Sequence, residues 1–214
     1  ESSRGRSPSW GRRMKVRKNV RKLLALPRFK PNRVVVLAAE MRRHGWALWR
    51  DGKREMSGVT KNARSREVVV QSAQHIADRH HRCLVPVLEL PDPWLPRRVQ
   101  LEMAYRVGGW LEQLDIATIP GWVGIELHEW RELVFGKKNA RLGGKKLRQR
   151  GESICEAMHI KVREDGGDVE AHMIALWGSQ AEKVEQLIPP SALFRQDYVG
   201  RVWMPRVIDG GQST

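Results

Sequence analysis

The chain has 214 residues, enough for one well-buried domain with extensions and too few for two comfortable ones. Its formal net charge of +15 favours a polyanionic partner, with nucleic acid ahead of an acidic membrane. No apolar run approaches the ~20 residues of a membrane span, so a soluble protein with no membrane partner is expected. The two cysteines, Cys83 and Cys155, sit among apolar neighbours with no Cys-x-x-Cys or His/Cys cluster that could form a zinc site. They read as reduced core thiols and point to a reducing compartment.

Residues 1–32 form a basic arm. Between Glu1 and Pro31 it carries eleven Arg and Lys against one acid. The arm reads equally as a solubilising tail, as the remnant of a targeting peptide or as a phosphate-gripping extension. The chain begins with Glu1 instead of Met, which is expected of a processed or truncated product. From Arg33 the pattern changes. The unbroken run Val34-Val35-Val36-Leu37-Ala38-Ala39 suits a strand covered on both faces, and Gly45 allows a tight turn before Trp46 to Trp49 resume an alternating pattern. Asp51-Gly52 marks the next turn, with Glu55 to Thr60 as a third strand.

Helical spacing of Val69, Val70, Ala73, Ile76 and Ala77 predicts a helix over Ser65 to His81. Cys83 to Leu90 reads as a buried strand ending in Glu89, ahead of Pro91-Asp92-Pro93. Arg98 to Leu114 is a second amphipathic helix, in which Gly108-Gly109 allows close approach to the sheet. Val123 to Leu127 is a short strand, and Glu129 to Phe135 a helical turn. A basic, glycine-rich loop is expected from Gly136 to Lys146, followed by a helix with Leu147, Ile154, Cys155 and Met158 inside. The last helix is expected over Asp168 to Ile188, closing a domain of residues 33–188, and residues 189–214 read as a tail.

Three consecutive strands followed by βα alternation predict an α/β fold: a mixed five-stranded sheet flanked by helices, of the ribonuclease H-like kind. Four segments in this order resemble the RuvC-type family of Holliday-junction resolvases. They are Leu37-Ala38-Ala39 with Gly45-Trp46-Ala47-Leu48, Val87-Leu88-Glu89 with the prolines after it, His128-Glu129-Trp130-Arg131 through Lys137-Lys138, and Gly167-Asp168-Val169-Glu170-Ala171. The resemblance implies a metal-dependent, structure-selective endonuclease, dimeric because a junction has two symmetric scissile sites. In such chemistry two divalent ions roughly 4 Å apart stabilise the nucleophile and the leaving oxygen, and Mg²⁺ or Mn²⁺ takes carboxylate oxygens. The resemblance therefore nominates Glu89, Glu170, Asp168 and Glu40 as catalytic, with Glu89, Glu170 and Asp168 as metal ligands.

The chain departs from the family pattern twice. The spacing to Gly45 aligns the first acid with Ala39, and the first acid of the closing motif falls on Gly167. Three explanations of Ala39 stay open: an introduced inactivating substitution, a natural change compensated by Glu40, or lost catalysis on a retained binding surface. Asp168 and Glu170 also fit a simpler role at a helix N-terminus. Glu89 fits a simple ion pair, and His172 and His128 fit either metal tuning or ordinary structural contacts.

Lys137, Lys138, Arg141, Lys145, Lys146, Arg148 and Arg150 have no acid between them and, with Arg42 and Arg43, are the expected phosphate contacts. Such contacts read shape, which suits branched DNA or structured RNA. Of nine Trp, Trp46, Trp110, Trp130 and Trp177 occupy core positions, whereas Trp10, Trp94 and Trp203 suit base stacking or a protein partner. The competing reading is a catalytically silent component of a large nucleoprotein assembly, such as an organellar ribosome. The expected location is a bacterial or phage cytoplasm or an organelle matrix.

Overall fold

The computed structural model describes residues 33–119, 121–140 and 144–180. The arm, the tail, Arg141 and the expected helix beyond residue 180 lie outside them, as do Trp10 and Trp203. Five strands, β1 (Val34–Ala39), β2 (Gly45–Arg50), β3 (Lys53–Val59), β4 (Cys83–Glu89) and β5 (Val123–Ile125), form one sheet in the order β3-β2-β1-β4-β5. β1, β2 and β3 make an antiparallel meander, while β4 and β5 run parallel to β1. This is the mixed ribonuclease H-like sheet expected from the order of elements. β1 lies at its centre with all six residues buried, because an all-apolar strand is stable only with both faces covered.

Two helices, α1 (Ala63–Arg79) and α2 (Arg97–Ile116), cover one face. Asn62 starts α1 by accepting the Ser65 amide at 2.8 Å, while the Ser65 hydroxyl answers the Asn62 amide. The other face carries α3 (Leu127–Phe135), the short α4 (Lys137–Ala140), α5 (Gly144–Ala157) and α6 (Val169–Gly178). The segment expected as a basic loop is thus largely helical: Gly136, at φ 78°, ends α3, and the lysines fall on α4 and α5.

Strand alternation divides the core. Val34, Val36, Ala38, Val85 and Val87 face α6, whereas Val35, Leu37, Ala39 and Leu88 face α1 and α2. Helix α6 is apolar on all sides and buried along its length, which fits a helix enclosed between the sheet and α3 and α5. One buried polar chain ties it down. The Trp49 indole N–H donates to His172 Nδ1 at 3.1 Å, and His172 Nε2 lies 3.7 Å from Asp168 Oδ2. An indole only donates, so His172 carries its proton on Nε2, facing the carboxylate.

Trp46, Trp110, Trp130 and Trp177 are core residues, as expected. Cys83 and Cys155 are unpaired thiols, and burial pushes Cys155 up to about 12.

Candidate active site

The register of the parallel pair, Ala38↔Val87 and Ala39↔Leu88, brings Glu40 and Glu89 side by side at the carboxyl ends of β1 and β4. By alternation both project toward α6, whose first turn carries Glu170. Glu40 and Glu89 both feel the Glu170 carboxylate. Burial and then Glu170 push Glu40 up to about 7, and burial followed by Glu40 and Glu170 pushes Glu89 up to about 8.

This geometry corrects the alignment at Ala39. Ala39 faces the α1/α2 layer, and the acid that follows Val34, Val36 and Ala38 on the α6 face is Glu40. A slip of one residue in a strand exchanges its faces. Replacing Ala39 with Asp is therefore expected to bury an unpaired carboxylate in an apolar layer and to destabilise the chain by about 3–5 kcal/mol in denaturant melts. A fully stable Ala39→Asp chain with new metal-dependent cleavage would sink this assignment.

Gly167, where the family pattern has its other acid, is a packing position. A Cβ on Gly45 would overlap the Gly167 carbonyl oxygen, and one on Gly167 itself would stand 2.9 Å from Val59. The start of β2 and the turn before α6 meet backbone to backbone, and there is no room at Gly167 for a side chain without movement.

The Glu40 carboxylate is turned onto its own loop. It accepts the amides of Arg42 at 2.5 Å, Arg43 at 2.8 and 3.0 Å and Gly45 at 3.4 Å. Glu89 Oε2 accepts the Met41 amide at 3.4 Å, while the fully buried Oε1 has no hydrogen-bond partner among the described residues.

Asp168, nominated as a ligand beside these acids, has its carboxylate engaged by other groups. Its carboxylate accepts the Ser57 hydroxyl at 2.8 Å and the Arg163 amide at 3.0 Å. Despite burial, the His172, Arg163 and Ser57 contacts hold it down at about 2. Asp168 is the N-cap residue of α6 but makes no capping bond with its side chain. Its role is to join β3 and the segment before α6 to His172. His172 is accordingly structural, and His128 is exposed beside Glu126 at 3.1 Å.

Arg131 was not singled out in the sequence. It is 9% exposed on α3, its guanidinium lies 5.3 Å from the centre of the Trp130 ring, and its Nε has no partner among the described residues. Glu170, Glu89 and Asp92 act to keep it charged against burial. The signal was present in the spacing: Leu127, Trp130, Arg131, Val134 and Phe135 trace one helical stripe, and an Arg within an apolar stripe needs a buried partner.

The expected phosphate contacts separate into two groups. Lys137, Lys145, Lys146 and Arg43 are exposed. Arg148 instead pairs with Glu152 at 3.1 Å and donates to the Asp165 carbonyl, tying α5 to the segment before α6, and Arg150 bonds Asn139 at 3.2 Å, tying α5 to α4. Arg42 is half-buried near Glu89. Trp94 is 92% exposed, five residues beyond Glu89. Its loop is held by the Asp92 carboxylate on the Trp94 amide and by Gln100 on the Pro93 and Leu95 carbonyls.

The donor set suits a hard divalent cation in kind. It consists of carboxylate oxygens, includes the unpartnered Glu89 Oε1, and carries repulsion that a cation relieves. In the arrangement present, no three His, Cys, Asp or Glu side chains among the described residues are placed to hold an ion.

The sheet order and the acids at its strand ends define a ribonuclease H-like α/β domain with a carboxylate cluster. No family model matches the chain, and no curated protein matches it. Among solved structures it is similar to the RuvC structure of Thermus thermophilus, at 11% identity and TM-score 0.45, covering 71% of this chain and 97% of that one. It is also similar to T. thermophilus RuvC in complex with Holliday junction substrate, at 11% identity and TM-score 0.43, with 67% and 90% covered.

Proposed function

We propose that the protein is a divalent-metal-dependent endonuclease acting on branched or structured nucleic acid. The observation that carries this reading is the meeting of Glu40, Glu89 and Glu170 from two strand ends and a helix, with one carboxylate oxygen left unpartnered in a buried position. Mutually repelling buried acids are unfavourable for stability alone, and such groups concentrate where a cation or a proton is handled.

Glu89 and Glu170 would hold Mg²⁺ or Mn²⁺, with Glu40 beside them; the ion supplies a polarised water and charge neutralisation at phosphorus. Arg131, which senses Glu170 and Glu89, would offer paired donors to a phosphate brought to these acids. Trp94 would offer an exposed indole, on a loop whose backbone is hydrogen-bonded, to an unpaired base. A symmetric junction would engage two copies.

The test is cleavage of a labelled four-way DNA junction and of a folded RNA, with Mg²⁺ or Mn²⁺ and with chelator. Metal-dependent cutting that Glu89→Gln abolishes supports the reading. Silence on both substrates, together with tight salt-sensitive binding, favours the second reading, a binding component of a nucleoprotein assembly. The amide bonds that occupy Glu40 speak for that alternative.

Both readings share one expectation. Neutralising Lys137, Lys138, Lys145 and Lys146 to Gln should weaken binding and flatten the plot of log K against log salt, by about 0.9 for each duplex phosphate that is no longer neutralised. An unchanged slope would remove α4 and α5 from the interface.

A further inference from the structure

A groove of about 910 Å³ runs between α1 and α2 on the face away from α6. Its floor is the Gly108-Gly109 pair. A Cβ at Gly108 would meet nothing within 4 Å, so the floor is open, while the Arg66 guanidinium lies against Gly109. Lys61, Arg66 and Arg106 line it, as does Tyr105, which is 83% exposed.

Cations outnumber acids in the lining, and Arg106 alone of the three is paired with one, Glu102 at 3.9 Å, in the ion pairs among the described residues. His44 lines the groove together with Lys61, Arg66 and Arg106, and its pKa is lowered by burial and then by Arg106, Arg66 and Lys61. Of the two acids in the lining, Glu102 is paired with Arg98 at 3.3 Å and Arg106 at 3.9 Å; Glu112 is the other. Arg66 Nε is buried and has no hydrogen-bond partner among the described residues.

The groove adjoins the carboxylate cluster through one loop. The amides of Arg42, Arg43 and Gly45 hold Glu40, while the carbonyls of Met41 and Arg42 accept Arg106 from the groove side.

We propose that this groove binds the backbone of a nucleic-acid strand, with a phosphate between Lys61 and Arg66 and a base or sugar against Tyr105. The site rests on the nucleic-acid binding proposed above and is independent of cleavage. Its volume suits a nucleotide unit, and an exposed aromatic ring beside cations is the usual composition of a single-strand tract.

The test uses the full chain and fluorescein-labelled single-stranded DNA and four-way junctions, titrated at several salt concentrations. Gly108→Glu places a carboxylate on the open floor without crowding, and Lys61→Gln removes an exposed charge. Gly108→Glu should weaken single-strand binding about tenfold. Lys61→Gln should weaken it about threefold and make the salt slope shallower by about 0.7, the value for one phosphate on a single strand. Lys61→Gln should melt with the parent chain, and Gly108→Glu, which replaces a glycine inside α2, should melt no lower than it.

Unchanged affinity and slope in both variants would overturn the proposal, as would a change of sedimentation state in place of a change of binding, which would assign the face to a second copy. A parent chain that binds no nucleic acid overturns it too. A parent chain that binds through the groove but cuts nothing supports the groove and removes only the nuclease reading.

Discussion

Glu89→Gln is expected to do two opposite things: reduce metal-dependent cleavage by about 10³-fold or more, and make the metal-free chain more stable at pH 8. The first follows from losing a ligand that supplies several kcal/mol of charge stabilisation in the transition state. The second follows from burial. Glu89 rises from an ordinary 4.5 to about 8 because burial and its two acidic neighbours oppose its charge. A carboxyl whose pKa is raised by folding takes up a proton on folding. Its contribution is therefore full below about pH 4.5 and is lost as pH rises toward 8. Between those limits each such group lowers stability by about 1.4 kcal/mol per pH unit.

The parent chain should accordingly lose thermal stability from pH 5 to pH 8 in chelator and regain part of it when Mg²⁺ or Mn²⁺ is added. Glu89→Gln should lose less and respond less to metal. Asp168 acts in the opposite sense. Held at about 2, it contributes stability above the ordinary carboxyl range that is lost only as pH falls toward 2. A parent chain whose melting temperature is flat from pH 5 to pH 8 would contradict the carboxylate cluster.

Gly45→Ala should be among the most damaging single-methyl additions, about 3 kcal/mol, which is a fall of about 6–12 °C in Tm for a chain of this size. The neighbour that a Cβ would strike is the carbonyl oxygen of Gly167, a backbone atom that cannot rotate away. Gly45 also donates its amide to Glu40, so displacement of β2 would disturb the loop that holds the cluster. Gly108→Ala has open space and is the natural comparison. Equal melting of the two chains would refute the close approach.

Much of the fold was legible because period and burial agree. The unbroken apolar run of β1, the stripe of α1 and the acid ending β4 all appear where the spacing placed them. Boundaries moved by a few residues where the flanking residues allow either state. The basic stretch after Gly136 was misread, because charge and glycine argue for a loop, whereas Leu147, Ile154 and Cys155 give the lysines a buried stripe to ride on.

The site was legible in part. Glu89 and Glu170 were visible as acids at element ends. Motif spacing points to Ala39 and strand alternation to Glu40, and it is Glu40 that follows Val34, Val36 and Ala38 on the α6 face. Asp168 could not be separated from the cluster by sequence. Its partners Ser57 and His172 come from β3 and α6, and only their meeting shows that the carboxylate is already occupied.

The parallel pairing of β1 with β4 bears on how the protein folds. A hairpin such as β1–β2 closes locally, but β1 can meet β4 only after β3 and α1 have been accommodated between them in the chain. The two central acids are thus distant along the polypeptide and become neighbours in one of its least local contacts, the kind that slows folding. Their repulsion is absent from the unfolded chain and from the early hairpin, and it arises as the sheet closes. Assembly of the central sheet and assembly of the acidic centre are therefore one kinetic event, and neutralising either acid should ease the closing step.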